Sequence, residues 1–300
     1  VGPKMNSAGL EGLAVELRFR GDADGSTAVI LPEGEGGFRP DGIPGDVRIV
    51  GGTRVGEGKN FSIDHPPGAD LQLRYVVRPP AAVNQQGPNM SPTCYTLHPA
   101  RFTAPASQVL ATLPERRDEQ ASFAWSAFPK DWKLISDLDA APAFPLRTVG
   151  WGILMGGTDM RLLDTGSTVN EAPFALHSGP LGFSADEMAK YVGQAMNASA
   201  AYWGVIAPNI LTAMVPVTGQ ADFRFAATTD DLVTMWTSPE HTFETLRAHM
   251  AHEVTHTFVP FQMGKHDWVR ETNWLGEGLN DFYSFRVMLW GDVWSWDTYV

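Results

Sequence analysis

The chain has 300 residues, 43% of them hydrophobic and 19% charged, with a formal net charge of −12. That is enough material for about two globular domains. The acidic balance argues against a nucleic-acid or anionic-membrane partner, since either needs a basic surface. The one cysteine, Cys94, excludes an intrachain disulfide and a thiolate zinc cluster, and no apolar run is long enough to span a bilayer. The chain begins Val1-Gly2-Pro3-Lys4 with no signal-like segment and no initiator Met, so we expect a processed or trimmed product, periplasmic or secreted after signal removal rather than cytoplasmic.

The first part reads as β structure. Residues 13–20 alternate apolar and polar, a Gly21–Gly25 turn follows, and Thr27–Leu31 is a short apolar strand. Alternation returns at 46–50, 61–63 and 71–77, each bounded by glycine, proline or aspartate. Residues 78–92 read as an irregular loop, and 123–125, 151–155 and 172–177 as further strands, with Gly156-Gly157 as a stop. His65, His98 and His177 stand alone and are expected to be surface or satisfied core histidines. These features predict an antiparallel β domain over 1–180.

Composition changes near Pro180. Ser184-Ala185-Asp186-Glu187 is a capping box, opening a helix to about Trp203. Residues 210–217 form an apolar strand, and a second is expected at 222–227 or 232–236. A strand edge in this region would suit an extended peptide adding through main-chain hydrogen bonds. Ser238-Pro239-Glu240 then reads as a helix start. Phe243, Leu246, Met250 and Val254 form its apolar stripe, and Pro260 closes it.

That helix carries His252-Glu253-x-x-His256. Four residues advance about 400° and rise about 6 Å, so both imidazoles leave one face a turn apart, spaced to grip one Zn²⁺. Glu253 remains free to handle a proton. A zinc hydrolase needs a third protein ligand and one open position. Glu277, in Trp274-Leu275-Gly276-Glu277-Gly278, is the candidate, on a second helix capped by Thr272 or Asn273 with Leu275, Leu279 and Phe282 as its buried stripe. Asp281, one turn on, shares a face with Glu277 and Ser284 and is placed to accept the outer N–H of a ligating imidazole. The aromatic tail, residues 290–300, either packs on the body or belongs to a longer protein.

His252-Glu253-x-x-His256 with Trp274-Leu275-Gly276-Glu277-Gly278 resembles the gluzincin metallopeptidases, whose Trp-x-x-Glu-Gly helix supplies the third ligand. The layout is most similar to the glycyl-aminopeptidase family, with Tyr75-Val76-Val77, Trp125 and Phe128-Pro129-Lys130-Asp131-Trp132 fitting its N-terminal β domain. The resemblance implies an α+β chain: the β domain followed, over 181–300, by a thermolysin-like mixed-sheet and helix domain, incomplete at its C-terminus. It implies His252, His256 and Glu277 as ligands to Zn²⁺, Glu253 as general base, and a peptide or protein as substrate. Three features depart from the family. Residues 224–231 lack its Gly-x-x-Glu-Asn or Gly-Gly-x-Glu-His segment for the substrate amine, leaving Asp230 or Asp231 as substitutes. No later helical domain fits before Val300. No oxyanion-holding residue is assigned, with Tyr283, Tyr299 and His266 as candidates. Aminopeptidase-like hydrolysis is therefore the expected activity, and a peptidase-derived peptide-binding protein that keeps its zinc is the alternative. A closed structural zinc site would need Cys94 or His249 as fourth ligand, whereas His249 reads as a flanking surface residue.

Overall fold

The computed structural model describes residues 1–32, 43–78, 95–205, 209–218, 221–229, 231–259 and 273–299, with side chains from residues 44 and 276 onward in the second and last segments. The chain is α+β and divides into two compact units, Val1–Asp159 and Met160–Val300. No described helix is long and apolar enough to cross a membrane.

Every strand pair described in the first unit is antiparallel. Its first sheet has the order Gly2–Asn6, Gly9–Arg20, Asp70–Arg78, Ile43–Val50. Period-two patterning explains how that sheet buries one face. In Asp70–Arg78 the side chains of Leu71, Leu73, Tyr75 and Val77 enter the core while Arg74 reaches across to Glu16, its register partner, at 2.8 Å. His65 is a satisfied core residue, with Nε2 2.9 Å from Thr27 Oγ1 and Nδ1 2.8 Å from the Pro66 carbonyl.

Two strands expected here differ. Residues 123–125 are not a strand: Phe123 and Trp125 meet edge to face at 4.7 Å, and Trp125 packs with Phe102 and Phe128, so ring packing replaces ladder pairing. The strand expected at 151–155 instead runs Ile153–Gly157. Gly156 and Gly157 lie inside it because a Cβ at Gly156 would come within 2.6 Å of Phe102 and Leu134.

The second unit holds a five-stranded mixed sheet in the order Arg161–Leu163, Phe174–Leu176, Leu211–Pro216, Leu232–Thr237, Arg224–Thr228. The three central strands run parallel and the two outer ones antiparallel. One strand was expected at 222–227 or 232–236, and both places hold one, Arg224–Thr228 and Leu232–Thr237. The strand Arg161–Leu163 was not expected, and the strand at 172–177 was expected to end the β domain, yet Phe174–Leu176 pairs in parallel with Leu211–Pro216 within the unit Met160–Val300. A fully buried three-residue strand carries no alternation that could have revealed this partner.

Helix α1 (Ala185–Trp203) starts as its capping box requires, with Ser184 Oγ accepting from Glu187 N at 3.3 Å. It ends at Gly204, whose φ of +68° suits a residue without Cβ. Helix α2 (Phe243–His256) begins four residues later than expected, its cap at Thr242 rather than Ser238. Thr242 Oγ1 caps it by accepting from Thr245 N, while Pro239-Glu240 forms a turn closed by His241 N to the Ser238 carbonyl. Its Leu246, Met250 and Val254 join Met188, Val192 and Met196 of α1 and Met214, Val233 and Met235 of the sheet in one core. Helix α3 (Asn273–Trp290) packs there through Val287 and Met288. Phe282 is 49% exposed, against expectation, and lies under the Arg286 guanidinium. The small polar Asn280 and Ser284 occupy buried positions on α3 instead. Trp294 of the aromatic tail is buried with Nε1 donating to Tyr191 Oη at 3.0 Å, whereas Trp290 and Trp296 stay exposed. Expectations for Cys94, Asp230, Pro260, His266 and Thr272 lie outside the described residues.

Candidate metal centre

Helix α2 turns His252 and His256 to the same side, and α3 brings Glu277 to meet them. The two Nε2 atoms are 2.9 Å apart, and Glu277 Oε2 lies 3.1 Å from the first and 3.2 Å from the second. Among the described residues this is the one group of three potential ligands within 4.8 Å of one another. Asp281 Oδ1 is 2.7 Å from His252 Nδ1, and the Val259 carbonyl is 3.2 Å from His256 Nδ1.

Those outer contacts fix the chemistry of the inner atoms. A carboxylate and a carbonyl only accept hydrogen bonds, so each Nδ1 carries the proton. A neutral imidazole protonated at Nδ1 presents a bare lone pair at Nε2. Burial, and then the adjacent His252, hold the His256 imidazole below its ordinary pKa, which keeps it neutral at pH 7. Two imidazole nitrogens and a carboxylate oxygen thus face one another within 3.2 Å. One cation placed among them would meet all three donor atoms. Ligands about 2.0–2.1 Å from a tetrahedral ion lie about 3.3 Å apart, close to the observed triangle. The residues therefore fit zinc as three protein ligands with a fourth direction left over.

Glu253 is not part of the trio. It is 5% exposed, with Oε2 accepting from Thr228 Oγ1 at 2.7 Å and Oε1 3.3 Å from His249 Nε2. Burial pushes its carboxyl up, but the hydrogen bonds from His249 and Thr228 and the flanking imidazoles outweigh this and leave it below the ordinary glutamate value. It is a buried carboxylate, next in sequence to His252 of the trio.

Three residues here were not assigned from sequence. Asn280, fully buried, donates from Nδ2 to the His252 carbonyl at 2.8 Å and ties α3 to α2. Its place three residues after Glu277 on the same helix was a usable signal. His249 reads as a surface flank, but it turns toward Glu253, four residues on along α2. Thr228, at the end of the sheet's edge strand, had no local signal. Of the oxyanion candidates, Tyr283 packs against Trp203 at 4.9 Å and Tyr299 against Trp296 at 5.4 Å, and neither has a described contact with the trio.

No protein-family profile matches the sequence, and no curated protein matches it. Solved structures do match its fold. An aminopeptidase N family protein from Idiomarina loihiensis aligns with a TM-score of 0.69 at 10% identity, over 95% of this chain and 53% of that one. An M1 zinc metallopeptidase from Deinococcus radiodurans aligns with a TM-score of 0.53 at 12% identity, over 98% of this chain and 68% of that one. A variant of the latter, bound to a Tyr-Ser-Ala substrate, gives 0.52 at 12% identity. The chain thus spans about half the length of the first and about two thirds of the second. The shared feature is the fold: this chain has the α+β architecture of M1-type zinc peptidases.

Proposed function

We propose that the chain is a zinc-dependent peptide hydrolase of aminopeptidase-like type, with His252, His256 and Glu277 as ligands, Asp281 orienting His252, and Glu253 as general base. The observation that carries this reading is the trio of potential donor atoms 2.9–3.2 Å apart, with the buried Glu253 carboxylate on the same helix as the two histidines. When bound there, zinc lowers the pKa of a water toward 7 and polarises a carbonyl. The protein's own residues then supply the proton transfers. Glu253, held ionised by its two donors, takes the water's proton on a carboxylate oxygen and hands it to the leaving amine. Asp281 holds the His252 proton on Nδ1, so that Nε2 keeps its lone pair for the metal.

The edge strand Arg224–Thr228 is the proposed docking rail for substrate. Among the described residues it pairs on one side only, with Leu232–Thr237, and its last residue touches Glu253. An extended peptide adding to its free edge would run alongside the base.

The test is Glu253→Gln. Wild-type protein loaded with zinc should cleave peptides from a mixed library, and the variant should keep zinc yet lose at least about a hundredfold in turnover. Turnover by the variant at the wild-type rate would reject Glu253 as the base. Saturable binding of intact peptide without cleavage, by wild type and variant alike, would establish the binding-protein alternative.

A further inference from the structure

The buried Glu253 carboxylate is gripped from two independent elements. Thr228 Oγ1, on the edge strand, lies 2.7 Å from Oε2 and 2.9 Å from the Glu253 main-chain carbonyl. Its single hydroxyl proton can serve either acceptor, so the strand is tied to both the side chain and the backbone of this residue. His249 Nε2, one turn earlier on α2, lies 3.3 Å from Oε1. Facing a carboxylate, that nitrogen is a donor. The His249 side chain is 27% exposed and turned toward a carboxylate that is 7% exposed, which is not the posture of a freely solvated surface histidine.

A glutamate side chain has three rotatable bonds, so a lone carboxylate on a helix face explores several positions. One donor on each oxygen fixes the carboxylate plane and its depth along the helix. We propose that His249 and Thr228 are the positioning residues of Glu253, clamping its two oxygens from the helix and from the edge strand so that the carboxylate presents one fixed geometry to its substrate water. What Glu253 does there rests on the hydrolase reading above, but the clamp itself rests on these contacts alone. It also has a consequence for substrate binding. A peptide added along Arg224–Thr228 bears on the strand whose terminal hydroxyl holds the base, so docking and base placement share one residue.

The experiment compares His249→Leu, which removes the donor, with His249→Gln, whose amide N–H can restore it, and Thr228→Val, which removes the hydroxyl at equal size. Zinc content is read by elemental analysis, and kcat and KM with the tripeptide Tyr-Ser-Ala. The clamp predicts full zinc in all three. It predicts a kcat about ten- to a hundredfold lower for His249→Leu and Thr228→Val with KM within about twofold, and recovery of most of kcat in His249→Gln. Wild-type kcat in His249→Leu overturns the proposal. Loss of zinc in that variant also overturns it, because His249 would then act on the ligands.

A second readout does not depend on turnover. In metal-free protein, His249→Leu should lower the melting temperature by several degrees when residue 253 is Glu, and by less than half as much in the Glu253→Gln background. Equal shifts in the two backgrounds overturn the clamp. Should zinc-loaded wild type cleave no peptide at all, the hydrolase reading falls, and the melting cycle alone decides the clamp.

Discussion

Removing the Asp281 carboxylate should weaken zinc binding without weakening the fold. The contact is short, 2.7 Å from Oδ1 to His252 Nδ1, and it sets which nitrogen of that ring holds the proton. Without it the ring is free to rotate or to place its proton on Nε2, and either change withdraws a ligand. Carboxylates in this role contribute about 10–100-fold to metal affinity. The Asp281 side chain is 63% exposed, so water can replace part of what is lost, and the lower end applies. We expect Asp281→Ala to raise the zinc dissociation constant about tenfold, about 1.4 kcal/mol. Asp281→Asn keeps an acceptor oxygen while losing the charge, so its loss should be smaller, about threefold. The assay is competitive titration against a chromophoric chelator at pH 7 and fixed ionic strength. Because the pair is exposed, the metal-free Ala variant should melt within about 2 °C of wild type. A dissociation constant within twofold of wild type for Asp281→Ala, or a greater loss for Asn than for Ala, would refute the reasoning.

Two further substitutions test the frame that holds the site. Asn280→Leu removes the fully buried donor to the His252 carbonyl and should cost about 1–3 kcal/mol in urea unfolding, with weaker zinc binding alongside; unchanged stability would mean that the α2–α3 tie carries no energy. Gly193→Ala would place a Cβ 2.1 Å from the Thr165 carbonyl oxygen, backbone that cannot swing aside, and should lower stability by about 1–3 kcal/mol; a melting temperature equal to wild type would contradict the close approach of α1 to that loop.

The parts of this molecule that sequence revealed are those set by local spacing. His252 and His256 four apart on α2, the Ser184 capping box of α1, and the alternation of Leu71, Leu73, Tyr75 and Val77 each need only a few neighbouring residues to be read. Glu277 and Asp281 were legible as partners of the histidines because they lie one turn apart on the next helix, and both do approach the imidazoles. The misreadings arose where distant contacts decide. The α2 start moved because Pro239-Glu240 closes a turn and Thr242 takes the cap. Phe174–Leu176 joined the second unit because its parallel partner lies far along the chain, at Leu211–Pro216. Phe282 reads as core by period, but α3 buries Asn280 and Ser284 instead. Thr228 could not be found from sequence, since only the fold brings an edge-strand hydroxyl to a helix carboxylate 25 residues later.

X-ray absorption at the zinc edge of the zinc-loaded protein tests the central claim most directly. One zinc per chain is expected, in a shell of nitrogen and oxygen at about 2.0–2.1 Å with the signature of two imidazoles, lost in His252→Ala and His256→Ala. A sulfur at about 2.3 Å, which would bring in Cys94, or stoichiometric zinc retained after both histidines are removed, would contradict it.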